Sequence, residues 1–137
     1  MSYHRFMRWV LIFEAVVINF GTGLFCLVAP GTFVAQFSAE ALPLVPVELI
    51  RWYGVLLWVL TYFVLRILPY NDNKMLFPAV EALLFGDLVH LGAVVMFFRA
   101  RPVVDWALLV MIFSASTLAV LRTVWLYQYH TGKLRAG

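Results

Sequence analysis

The hydrophobic positions of this chain fall into four blocks separated by short polar stretches, over about residues 6–28, 49–68, 78–98 and 103–127. About 20 apolar residues in helical conformation cross a hydrocarbon core of roughly 30 Å, and each block reaches that length. The prolines mark the borders. Pro30 follows the first block, Pro43 and Pro46 precede the second, Pro69 ends it, and Pro78 and Pro102 open the third and fourth. Proline is accepted in a first helical turn and disrupts an interior, so the pattern predicts four uninterrupted helices. The expected fold is all-α, a four-transmembrane-helix bundle forming a single integral membrane domain over 1–137. In the first connection, "TFVAQFSAEAL" puts Phe33, Val34, Phe37 and Ala41 at helical spacing, which predicts a short amphipathic helix on the outer surface.

Composition strengthens this reading. Hydrophobic residues make up 64% of the chain and charged residues 12%, against roughly 25% charged in ordinary soluble domains. The net charge of +3 is spread over the ends of the blocks rather than gathered in one run. That argues against a nucleic-acid surface and fits contact with the phosphates of membrane lipids. With four spans, Arg5, Arg8, Arg66, Lys74, Arg122, Lys133 and Arg135 lie on one side, and Arg51, Arg99 and Arg101 on the other. The excess predicts cytoplasmic termini and, for a bacterial chain, an inner-membrane location. The first block exceeds a signal-peptide core of roughly 7–15 residues and reads as a retained span. Cys26, the single cysteine, has no internal partner for a disulfide. No nucleophile motif, phosphate-cradling glycine loop or metal-ligand set is present.

Candidate chemistry lies in the polar groups within the spans, since each ionised group at a span centre costs about 2.5–3.5 kcal/mol on insertion scales. Glu14 sits near the middle of the first span. "VEALLFGDLVHLGAVV" carries Glu81, Asp87 and His90 through the third. Asp87 and His90 are about 60° apart on a helix and share a face, while Glu81 is about 120° from Asp87. Glu81, Arg66 and Arg122 lie within roughly two turns of the cytoplasmic face, which predicts that Glu81 pairs with Arg66 or Arg122. No basic residue falls at the depth of Asp87 or Glu14. Arg51 starts the second span on the outer side, where Glu48 or Asp105 is its expected partner. Helical phase aligns Glu14, Ile18, Gly21 and Phe25 on one face of the first span, and Arg51, Gly54, Trp58, Tyr62, Leu65 and Arg66 on one face of the second. Gly21, Gly23 and Gly86 are the expected points of close helix approach. The candidate acid–base residues are therefore Glu14, Asp87 and Glu81, and the candidate ligand contacts His90, Asp87, Tyr62 and Trp58.

Four resemblances bear on function. The first span closing at Pro30, the stretch "GTFVAQFS" and the start "RWYG" of the second span resemble small bacterial four-helix membrane families of unknown function. More distantly, few helices with buried carboxylates are similar to the emopamil-binding-protein-like sterol isomerases. That likeness implies an apolar ligand in the bundle and proton transfer by Glu14, Glu81 or Asp87. "GDLVH" resembles the small-x-x-x-His manner in which membrane helices present histidine to haem or bacteriochlorophyll, and it implies such a ligand at His90. "IFEAVVINFG" is similar around Glu14 to small multidrug-resistance exporters, although this chain carries more charge inside its spans than they do. The leading expectation is a non-enzymatic accessory subunit or apolar-ligand-binding module, joined to other membrane subunits or to copies of itself. An intramembrane acid–base isomerase is the alternative, and a proton-coupled exporter ranks below both.

Overall fold

The computed structural model describes residues 3–37, 44–69, 73–100, 104 and 106–132, and every described element is helical. In chain order these are α1 (Tyr3–Phe13), a π-helical segment (Glu14–Phe20), α2 (Gly21–Val28), α3 (Pro30–Ala35), α4 (Leu44–Ile67), α5 (Asn73–Ala100) and α6 (Trp106–His130). Four stretches are long and apolar enough to cross a bilayer: His4–Val28, Pro46–Ile67, Met75–Arg99 and Trp106–His130. The chain is a multi-pass integral membrane protein of all-α fold. Its large exposed apolar side chains, Trp9, Leu56, Phe85, Met96 and Phe113 among them, are what lipid contact requires and water would penalise.

Helix borders follow the backbone chemistry, with shifts from expectation. Pro46 is the third residue of α4, inside its first turn. Pro78 does not open the third span. It is the sixth residue of α5, which begins at Asn73, so Pro78 supplies no N–H for the carbonyl of Lys74. Ala29, at φ −134°, breaks the path between α2 and α3, and Pro30 takes the first position of α3, where its missing N–H costs nothing. The short amphipathic element is thus α3, in which Phe33 packs edge-on against Phe25 and Phe37. Ala41, and the rest of the expected helix beyond Phe37, lie outside the described residues. After α6, Gly132 at φ +75° terminates the helix in the left-handed conformation glycine favours.

The contacts divide the chain into two units, residues 8–71 and residues 1–7 with 72–137. In the first unit, α4 runs antiparallel to the first span, with Arg8 donating to the Leu68 carbonyl (2.6 Å) at one end and Gly54 meeting Gly23 towards the other. A Cβ on Gly54 would fall 2.7 Å from the Gly23 carbonyl oxygen, and one on Gly23 only 2.6 Å from the Trp58 ring. The two backbones therefore touch where neither has a side chain, the kind of contact that holds helices together when lipid removes any hydrophobic preference for association. Gly21 and Gly86, also expected at helix contacts, are open: a Cβ at either would have nothing within 4 Å.

In the second unit, α5 and α6 pair antiparallel. Phe77 lies against Tyr129 (5.0 Å) and His130 (5.2 Å), Tyr129 stacks on the fully buried Trp125 (5.4 Å), and His4 meets the edge of Trp125 (5.8 Å). These rings form an aromatic cluster at one end of the unit.

Candidate functional site

The π-helical segment is the feature the hydrophobic pattern did not announce. Seven residues, Glu14–Phe20, are wound with i→i+5 bonding in the middle of a 25-residue span. Such winding is rare and concentrates at functional sites. It accommodates one extra residue, so the buried stripe slips by one position. Through the start of the segment the buried residues are Met7, Leu11, Glu14 and Ala15, and from there to the end of α2 they are Asn19, Gly23 and Cys26. The α-helical extrapolation to Ile18, Gly21 and Phe25 is displaced accordingly, and Gly21 is exposed.

The same winding creates a polar face. In an α-helix, residues five apart lie about 140° from one another. In the π segment, Glu14 and Asn19 are one turn apart and share a face, and both are 7% exposed. Passing from i→i+4 to i→i+5 bonding disturbs the carbonyl ladder, and α4 supplies side-chain donors to it. Thr61 Oγ1 lies 3.1 Å from the Ala15 carbonyl and 2.9 Å from its own Leu57 carbonyl, and Trp58 Nε1 donates to the Phe20 carbonyl at 3.3 Å. Trp58 also stacks flat on Phe20 at 5.1 Å. Asn19 Nδ2 is buried and receives none of this help, having no hydrogen-bond partner. An unmade hydrogen bond of this kind costs about 1–3 kcal/mol.

The second unit holds a buried ion pair. Arg122 is completely buried, and its Nη1 donates to Asp87 Oδ2 and to the Leu83 carbonyl (3.2 Å). Arg122 was expected to pair with Glu81. Arg122 serves Asp87, to which sequence depth gave no basic neighbour, while Glu81 is exposed on α5. The reason is side-chain direction. A helical Cβ leans towards its own N-terminus. In this antiparallel pair Asp87 and Arg122 therefore lean towards each other, and Glu81 leans away. Arg51 pairs with Glu48 one turn before it, as its position suggested.

The remaining candidates scatter. Arg66 is exposed in the last turn of α4. Tyr62 is 67% exposed, pointing away from the Gly54–Thr61–Val64 stripe that α4 buries. His90 is exposed one turn beyond Asp87, and Gly86, a turn before His90, is open. Asn19 and Thr61 belong to the site without having been among the candidate acid–base or ligand residues. A polar Asn19 off the extrapolated face of an apolar span was the available signal. No protein-family profile, curated protein or solved structure matches this chain.

Proposed function

We propose that this chain is a non-enzymatic subunit of a larger membrane assembly, joined to its partners through one face of α5. One observation carries the reading: His90, a polar ring, is exposed three residues past the midpoint of the Met75–Arg99 span, where lipid offers it no hydrogen bond. Ala82, Gly86, His90 and Ala93 fall within about 80° of one another on the helix. All four are exposed, and nothing lies within 4 Å of where a Gly86 side chain would begin. Small residues beside one polar group are what closely packed, hydrogen-bonded membrane helices use. The lysine and arginine distribution supports a topology with both termini in the cytoplasm of a bacterial inner membrane.

Native mass spectrometry of the gently solubilised chain tests this reading. The expected result is co-migration with other membrane chains or further copies, lost on His90→Leu or Gly86→Leu. A pigment carried along would make His90 its axial ligand. A wild-type chain that travels alone, with no bound chain or pigment, overturns the proposal.

A further inference from the structure

We infer that the π-helical segment of the first span is a binding site for the hydroxyl group of an otherwise apolar molecule, a long-chain alcohol. The inference does not depend on the α5 face and rests on what α4 satisfies and what it leaves. Thr61 and Trp58 of α4 reach the carbonyls of Ala15 and Phe20, so the irregular backbone is provided for. The Asn19 amide, 7% exposed on the same segment, is not: its Nδ2 has no acceptor. A donor left open beside a segment whose acceptors are served calls for an oxygen from outside the chain. The group must also suit Glu14, brought onto the same face by the i→i+5 winding. A carboxylate accepts about four hydrogen bonds, so Glu14 retains capacity for another beside any it already makes. Asn19 donates and Glu14 accepts, and a hydroxyl is the small group that does both in return. A ketone or ether oxygen uses only the first half of the site.

The surroundings suit an apolar body. Phe20 and Trp58 form a flat stack beside Asn19, and both rings are partly open to lipid. A water molecule offers the same hydroxyl chemistry without the body, and the experiment separates the two.

The full chain in micelles is irradiated with a diazirine-bearing hexadecanol and, in parallel, with the matching diazirine alkane that lacks the hydroxyl. The alcohol is expected to label the peptides around Asn19 and Trp58, with unlabelled hexadecanol competing, and the alkane to label them weakly. Loss of one buried hydrogen bond weakens occupancy by about three- to tenfold, the drop expected for Asn19→Leu with the alcohol. Equal labelling by alcohol and alkane overturns the inference, as does water alone filling the site, since the two probes then behave alike. The comparison of the probes on the wild-type chain stands even where a variant fails to fold, and His90→Leu leaves the labelling unchanged.

Discussion

Replacing Asp87 by leucine removes the carboxylate partner of a fully buried arginine. Arg122 is fully buried, the Asp87 side chain is 12% exposed, and the substitution takes away the carboxylate while leaving the bond to the Leu83 carbonyl in place. Breaking a buried pair by removing one partner costs about 3–5 kcal/mol, between roughly two and three and a half powers of ten in the folding constant. The reciprocal change is milder, because a carboxyl has the option of taking up a proton while a guanidinium stays charged. Arg122→Met is therefore expected to cost less than Asp87→Leu. Replacing both together removes charge and counter-charge, and such exchanges are neutral or stabilising by about 1–4 kcal/mol. The assay is equilibrium unfolding in mixed micelles with increasing dodecyl sulfate, followed by far-ultraviolet circular dichroism, on all four members of the cycle. A double variant no more stable than Asp87→Leu alone refutes the pairing, as does an Asp87→Leu chain that unfolds at the wild-type midpoint.

Other expectations can be checked in the same assay or beside it. Gly54→Val drives a side chain into the Gly23 backbone and is expected to lose about 1–3 kcal/mol, whereas Gly21→Ala, with open space around it, stays within about 0.5 kcal/mol of wild type. Thr61→Val withdraws the donor at the Ala15 carbonyl and is expected to cost about 1 kcal/mol in the unfolding midpoint. Cys26 is completely buried and is expected to resist a membrane-permeant maleimide until dodecyl sulfate unfolds the chain, as mass spectrometry of the adduct will show.

The four spans were legible because lipid imposes one requirement, an apolar helix of sufficient length, and proline punctuates it. What each helix faces was less legible, because side-chain direction and helical phase are not carried by hydrophobicity. Counting depth by Cα alone put Arg122 level with Glu81, and only the lean of Cβ in an antiparallel pair sends it to Asp87. Constant phase at 100° per residue chose Tyr62 in place of Thr61 on α4, since both flank the Gly54 stripe and the choice depends on where the neighbouring helix lies. The π segment defeats phase altogether. One residue's slip moved the buried stripe from Ile18 to Asn19 and from Phe25 to Cys26. The paired glycines were half legible: Gly23 was expected at a contact, but its counterpart Gly54 became visible only through the crossing itself.

That slip gives the π segment its own test, by deletion of a single residue. Removing one residue from a straight α-helix turns everything beyond it by about 100° and detaches its buried face. Removing one from a segment that already holds an extra residue does the reverse: i→i+4 bonding is restored, and both flanking helices keep their faces. Val17 lies within the π segment and Val55 within α4, and both are exposed apolar side chains of the same type, at 55% and 48%. Deletion of Val17 is expected to leave the Met7–Leu11 and Gly23–Cys26 stripes on one line and the chain folded. Deletion of Val55 rotates Thr61 and Val64 away from the face set by Gly54, and is expected to abolish cooperative unfolding. The two chains lose the same side chain and the same backbone length, so lost contact area cannot account for a difference between them. Equal damage from the two deletions refutes the register argument and, with it, the shared face of Glu14 and Asn19. A folded Val17 deletion that has also lost its labelling by the alcohol ties the winding to the site, because α-helical bonding sets Glu14 and Asn19 apart again while the rest of the span keeps its place.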